Sequence, residues 1–479
     1  MGKLFGADGL DKRISRRDFI KAGSATAAAI GFPFIVSSSA LGADGATAAS
    51  ERIALGCIGV GGQGFLNMKS FITNPAVQVV AICDVSEESD YSKFYFGGTA
   101  GRKPVKAFAE QYYADKKDGS FKGVEGYVDY QDVISRKDVD AVVIATPDHW
   151  HTPISIAAMR AGKHVYCEKP ISHSVYEARW IAEEAKKAGV VTQMGNHGHA
   201  EEGVRLLCEW IADGAIGNVH TVHVWCNRPG TLWVQGVGRP TDTPAVPAGL
   251  EWDKWVGPAK YRPYNSAYHP FLWRGWWDFG TGSLGDMGCH QMDAPYWALK
   301  LDAPVSIEAS STKLNDETAP LATKIHYKFG KRGDMCPVEM IWYDGGLKPA
   351  RPEELEEGRE LLSESILFVG DKGTILSEFN GGSPRIIPES KMREYKRPAK
   401  TIERSIGHRE EFIAACQGKG KAGSNFAYAG PLTEIVLLGN VAVRASEKLL
   451  WDSKNLKFTN SEEASKYIKN EYRQGYGIL

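Results

Sequence analysis

The chain has 479 residues, room for two or more domains with ample core. Its 57 basic and 58 acidic residues nearly cancel, which removes any electrostatic case for nucleic acid or an acidic membrane surface as partner. The eight cysteines form no CxxC pair and no disulfide-like ladder; Cys57 and Cys83 lie in apolar, strand-like runs and read as buried small hydrophobes.

The first segment reads as an export signal. Ser15-Arg16-Arg17-Asp18-Phe19-Ile20-Lys21 precedes an apolar run, 22–36, and small residues follow from Ser37. The paired arginines before Phe-Ile-Lys resemble a twin-arginine signal, the bacterial route for folded proteins. The apolar run is too short and too rich in Gly and Ala for a stable membrane anchor. Residues 1–45 are therefore expected to be a leader, cleaved after Ala40 or near Ala43. The twin-arginine export machinery is the expected partner, and the periplasm the expected location.

Residues 51–170 read as a dinucleotide fold. An apolar strand, 52–58, runs into Gly59-Val60-Gly61-Gly62-Gln63-Gly64, which fits G-x-G-x-x-G. The glycines permit a tight turn and close approach of backbone to a pyrophosphate. The N-terminus of the helix expected at 65–73 supplies N–H groups and partial positive charge. A second strand, 77–83, ends in Asp84, 20 residues past Gly64. An acid there binds adenosine ribose hydroxyls and repels a 2′-phosphate, so NAD is favoured over NADP. Residues 95–101 read as a loop insertion, and a helix is expected at 103–115. A buried parallel strand, 139–145, ends in Thr146-Pro147-Asp148-His149-Trp150-His151. A helix at 153–161 leads to a strand, 163–167, and to Glu168-Lys169-Pro170. In a doubly wound sheet the carboxyl ends of the strands line the ligand crevice. Asp84, Thr146–His151 and Glu168–Pro170 should share that edge. The pairs His149/His151 and His197/His199 raise the question of a metal, but no Cys or carboxylate completes a ligand set, and no metal is expected.

The glycine turn, the Thr146–His151 segment and Ala161-Gly162-Lys163-His164-Val165-Tyr166-Cys167-Glu168-Lys169-Pro170 resemble the Gfo/Idh/MocA oxidoreductases, which include glucose–fructose oxidoreductase and inositol dehydrogenase. The resemblance implies a cofactor site of Gly59, Gly61, Gly62, Gln63, Gly64, Asp84, Thr146, Pro147, His151, Glu168 and Lys169. Lys169 would lie beside the nicotinamide, and Glu168 would serve its ribose. A lysine near a cationic ring and partly desolvated has its ammonium form disfavoured, which suits proton transfer. A cis bond before Pro170 would fix the lysine's direction.

From residue 171 a helix, 175–188, and a last strand, 189–194, lead to Gly195-Asn196-His197-Gly198-His199. Family members often place a basic residue here; Asn196 and His197 stand instead, compatible with neutral substrate hydroxyls. From 219 the pattern alternates as strand, with further runs at 305–314, 322–329 and 338–343. The segment 230–268 reads as a long ordered loop over the site. Trp276 and Trp277 can stack on a sugar face or pack in a core; both readings stand. Asp286 and His290 are four apart and share a helix face. The resemblance puts this pair in the substrate pocket, with His290 as general base, Asp286 orienting substrate or His290, and Lys169 holding the reacting oxygen. Tail helices at 408–416 and 432–447 can return to the first domain.

The expected architecture is α/β: an N-terminal Rossmann doubly wound domain, 51–170, then an α+β domain, 171–479, with a large, mainly antiparallel sheet. The expected activity is an exported, NAD-dependent oxidoreductase acting on a sugar, glycoside or polyol, with tightly bound NAD and a homo-oligomeric state, dimer or tetramer. The rivals are a glycosidase that uses bound NAD for transient oxidation, and a non-catalytic sugar-binding protein on a dehydrogenase fold.

Overall fold

The computed structural model describes residues 51–116, 121–230 and 232–477; the leader expected at 1–45 lies outside the described residues.

Strands β1 (Ile53–Ile58) and β2 (Val77–Cys83) pair in parallel. β3 (Ser89–Asp90) and β4 (Thr99–Ala100) form a two-residue ladder that closes the expected insertion. β5 (Glu125–Tyr127), β6 (Ala141–Ile144), β7 (His164–Cys167) and β8 (Thr192–Met194) complete a parallel sheet of order β5-β2-β1-β6-β7-β8. Every residue of β1 and β6 is buried, as central parallel strands with both faces covered require. The order reverses between β1 and β6, which opens a crevice at their carboxyl ends. The domain boundary expected at residue 170 falls inside this sheet, between β7 and β8.

The helix expected from 153 begins at Asp148 and runs to Arg160, with Pro153 inside it. Pro147, not Pro153, closes the strand-to-helix turn: the Trp150 N–H bonds the Pro147 carbonyl at 3.0 Å. His149 and His151 therefore sit in a helical first turn rather than on a strand.

The second sheet is built from β9 (Val219–Trp225), β10 (Ser306–Ser311), β11 (Thr323–Phe329), β12 (Val338–Tyr343), β13 (Ser365–Gly370), β14 (Thr374–Glu378), β15 (Arg385–Ile387), β16 (Leu449–Asp452) and β17 (Lys457–Phe458). Its order is β15-β14-β13-β9-β12-β11-β10-β16-β17, antiparallel except for β9 with β12. Val222 and Val224 of β9 are buried while Thr221 and His223, on the other face, are half-buried, the period of two that marks a covered face.

Two C-terminal helices return to the first domain. Helix His408–Cys416 places Phe412 edge-on to Phe71 and Tyr166. Helix Phe426–Ala445 packs on helix Val175–Ala188, on helix Gly282–Gln291 and on β10. It is long and apolar enough to cross a bilayer, but most of it is buried inside the protein. Arg179 donates to both oxygens of Glu434, at 2.8 and 2.7 Å from Nη2 and at 3.0 Å from Nε, and Trp451 Nε1 adds a third donor at 3.3 Å. Residues from both sheets thereby share one hydrophobic core.

The segment expected as a long loop, 230–268, contains helix Trp252–Val256 and feeds an aromatic cluster. Trp252, Trp255, Tyr268 and Phe279 pack there with Trp276, which donates from Nε1 to the Ala267 carbonyl at 2.8 Å. Trp277 lies against the Arg444 guanidinium, 5.3 Å from ring centre to Cζ. Trp276 is 2% and Trp277 9% exposed, so of the two readings, sugar stacking and packing, their burial supports packing.

Replacing Arg179 by Ala leaves Glu434 buried without its ionic partner. Because Arg179 is partly exposed, the loss should be roughly 2–3 kcal/mol, below that of a fully buried pair. Denaturant unfolding measures it, and an unchanged midpoint would show that Trp451 and Ser453 suffice for Glu434.

Candidate active site

The glycine turn leaves no room for side chains at its two ends. Gly59 has φ +75°, and a Cβ there would fall 2.7 Å from the Thr146 nitrogen. A Cβ on Gly64 would fall 1.8 Å from the Gly59 carbonyl oxygen. β1 can therefore cross β6 closely and the chain turn directly into helix Gly62–Ile72. Asp84 braces this turn: its two oxygens accept the N–H groups of Val60 and Ser86, each at 2.8 Å. Burial raises the Asp84 pKa against those bonds. A cavity of about 440 Å³ opens beside it, lined by Gly61, Gln63, Asp84, Thr146, Pro147 and, on the far wall, Arg274. The Thr146 hydroxyl is buried with no hydrogen-bond partner. An elongated cavity over a helix N-terminus, with an acid at the end of β2, fits a dinucleotide.

Glu168, at the end of β7, accepts from Asn67 Nδ2 at 2.8 Å and Gln63 Nε2 at 3.4 Å. The ring nitrogens of His151 face the carbonyls of Pro170, at 2.6 Å, and Thr146, at 2.8 Å. His151 thus ties together the two turns that border the crevice. Those of His149 face the carbonyls of Phe279 and Trp255, at 3.2 and 3.1 Å, and burial pushes its pKa down to about 3. His199 faces the Asp293 carboxylate at 3.0 Å and stacks on Trp297. Among the described residues no group of three or more His, Cys, Asp or Glu is placed to hold a metal.

The Lys169–Pro170 peptide is cis. Lys169 Nζ donates to the Asp286 carbonyl at 2.8 Å and to its Oδ1 at 3.0 Å. Arg274 Nε donates to the same Oδ1 at 3.2 Å, its guanidinium lying over Phe271 and Trp273. Arg228 stands 4.0 Å from Oδ2. Burial raises the Asp286 pKa, but these cations outweigh it and hold the carboxyl far below the usual range. The expectation that Lys169 has its ammonium disfavoured is reversed here. Burial does pull its pKa down, but Asp286 and Glu168 more than offset that, and the net shift is upward. Lys169 is a proton-bearing donor.

His290 lies one helical turn beyond Asp286, buried, and its Nδ1 has no partner. Its ring centre is 5.4 Å from the exposed His197 and 5.7 Å from Phe379. Burial first, then Lys169 and His197, hold its pKa well below the ordinary imidazole value. His290 is therefore neutral, the form a general base needs. Asp286 makes no bond to His290: it anchors Lys169 instead. Asn196, two residues past β8, is fully buried, and neither of its amide atoms has a partner.

Several site residues were not anticipated. Asp148 accepts from the Thr281 hydroxyl at 2.6 Å, and burial pushes its pKa up to about 7. Arg274 and Arg228 are charged residues in aromatic and loop segments, and nothing local marks them. Tyr95, on the insertion, feels the charges of Arg274, Asp286 and Lys169. Its ring packs against Phe96 and Phe271.

A parallel sheet that reverses its order beside a glycine turn, followed by a second, sheet-based domain, is the two-domain architecture of a dinucleotide-binding protein. Residues 53–196 match the oxidoreductase family's NAD-binding Rossmann fold, and residues 204–478 match its C-terminal alpha/beta domain. The chain belongs to the Gfo/Idh/MocA oxidoreductase family. Residues 13–33 match the TAT (twin-arginine translocation) pathway signal sequence. A glycosyl hydrolase family 109 protein of Saccharopolyspora erythraea is 30% identical over 172 residues, 36% of this chain and 34% of that protein. Inositol 2-dehydrogenase of Salmonella typhimurium is 30% identical over 170 residues, 35% of this chain and 44% of that enzyme. The matched stretch is thus less than half of either relative's length. The WlbA dehydrogenase of Bordetella pertussis, solved with NADH and UDP-GlcNAcA, has the same fold: TM-score 0.53 at 17% identity, over 84% of this chain and 99% of that one.

Asp148 gives the site a pH signature. Its folded pKa of about 7 stands above the unfolded value near 3.9, so folding takes up a proton between them. That stabilisation is whole below about pH 4 and is lost as pH rises to about 7. Asp148→Asn removes this titration. Melting temperature plotted against pH should fall less steeply for the variant across this window, and parallel curves would show Asp148 to be ionised in the fold.

Proposed function

We propose that this protein is an exported, NAD-dependent oxidoreductase that moves hydride between a secondary hydroxyl of a sugar, glycoside or polyol and a tightly held cofactor. The observation that carries the reading is the opposed pair at the crevice: a neutral, buried His290 and a protonated Lys169 anchored on Asp286. His290 takes the carbinol proton, and Lys169 donates to the oxygen and holds it as charge develops. Asp286 fixes the lysine's reach. The glycine turn, with Thr146, Pro147 and His151, holds the cofactor; Glu168 serves the nicotinamide ribose. Asp84 serves the adenosine ribose and disfavours a 2′-phosphate, so NAD is preferred to NADP. When bound, nicotinamide supplies the hydride acceptor. Asn196 and His197 border the substrate.

Export explains the tight hold. A protein carried folded across the membrane can take NAD with it into the periplasm, and a second sugar returns the hydride. The chain's end supports retention: Arg473 bonds Asp253 at 2.7 Å, and Tyr476 lines the cavity beside Trp150. A dimer or tetramer is the assembly to look for by light scattering.

The family 109 relative favours a second reading: a glycosidase in which the same groups serve transient oxidation, followed by elimination of the glycosidic group. Aglycone release without net NADH distinguishes it. A non-catalytic sugar-binding role is disfavoured by the intact Lys169, Asp286 and His290, and a hydride-transfer assay decides.

Lys169→Ala and His290→Ala should each lower turnover by about 10²–10⁴-fold while cofactor stays bound, because the glycine turn is untouched. The acid limb of wild-type kcat/KM should lie below the ordinary histidine pKa of about 6.5. Near-normal turnover in both variants would remove this active site.

A further inference from the structure

We infer that Asn380, with Asn196 and His290, forms a hydroxyl-recognising wall, and that the ligand it takes is a neutral vicinal diol rather than a sugar acid. The inference rests on the reading of the Lys169–Asp286–His290 crevice as the substrate site. Asn380 lies in the turn Phe379–Gly381, just after β14. Its backbone is left-handed, φ +61° and ψ +16°, which few residues other than glycine and asparagine accept. The residue is 4% exposed, and its Oδ1 has no hydrogen-bond partner.

The turn reaches the site from two sides. Phe379 sits beside His290, and a Cβ placed on Gly198 would fall 2.6 Å from the Asn380 Cβ. Asn380 therefore lies against the His197–Ala200 turn, two residues from Asn196. The segment just past β8, the helix Gly282–Gln291 and this turn bring together Asn196 Oδ1 and Nδ2, His290 Nδ1 and Asn380 Oδ1, all buried and all unpaired. Folded proteins rarely leave such atoms unpaired, and several in one place on three separate elements mark a polar ligand.

The chemistry of the set selects the ligand. Hydroxyls both donate and accept, and this wall offers amide donors and acceptors with an imidazole nitrogen. The nearby cations are already engaged: Lys169 and Arg274 on Asp286, and Arg228 on Glu364 at 3.4 Å. The wall itself carries no cation: its unpaired groups are two amides and an imidazole, which suit hydroxyls and do little to offset the desolvation of a carboxylate. The exposed His197 ring stands at the solvent side of His290, 5.4 Å from it between ring centres.

The test is Asn380→Gly. Glycine accepts the left-handed turn without strain, so fold and NAD affinity should be unchanged while the amide is lost. Calorimetry on the NAD-loaded mature protein would use myo-inositol, D-glucose and D-glucuronate as probes. We expect a neutral sugar to bind best, and the variant to bind it roughly 5–30-fold more weakly at an unchanged melting temperature. Equal affinity in the variant, preference for glucuronate, or no binding of either neutral probe would overturn the inference. Sugar binding weakened by the variant without any wild-type absorbance change at 340 nm would uphold this wall and sink the oxidoreductase reading. An absorbance change that Asn380→Gly leaves untouched would do the reverse.

Discussion

The Lys169–Asp286 pair is the contact on which the site depends. It joins the end of a strand in one domain to a helix of the other. Both charges are buried, and a buried charge is tolerated only when paired and hydrogen-bonded. Lys169 meets this with two bonds to one residue, a carbonyl and a carboxylate. Asp286 meets it with Arg274 and the more distant Arg228. The positive charge gathered there has a further effect one helical turn away. With His197 it helps burial keep His290 neutral, while Asp286 and Glu168 keep the proton on Lys169.

Such a pair works only if the two domains do not drift. Helix Phe426–Ala445 prevents this by packing on a helix of the nucleotide domain and on the second sheet at once. The Arg179–Glu434 contact fixes its rotation. At the crevice, the His149 ring lies between the carbonyls of Phe279 and Trp255, which belong to the second domain and to the long segment beneath it, and its one N–H donates to one of them. His151 performs the same task between two turns of the first domain. The histidine pair that raised the question of a metal is used as struts between backbone carbonyls.

The tryptophans show a parallel displacement of role. Six lie between Trp252 and Trp297, a density that invites a sugar-stacking surface. Most of them instead build the cluster that stiffens 230–279, because a segment with little regular structure needs large side chains to fix it. The buried amide atoms left unpaired belong instead to small polar residues, Asn196 and Asn380.

The sequence by itself determined what depends on neighbours along the chain. The glycine turn, the acid closing β2, the helix Val175–Ala188 with its Ser174–Glu177 capping box, strand Val338–Tyr343 and the one-face spacing of Asp286 and His290 all follow from local geometry. The family signature added the crevice and the lysine. Tertiary structure decided the rest, because charge state and burial are sums over groups that the chain brings from afar. Lys169 and Asp286 are 117 positions apart, and only their meeting shows that the lysine keeps its proton. Asp148 carries a raised pKa because distant segments bury it. Asn380 stands in a stretch with no motif, and a left-handed turn delivers it to the site. No local pattern distinguishes a tryptophan that packs from one that binds, since both need the same apolar ring.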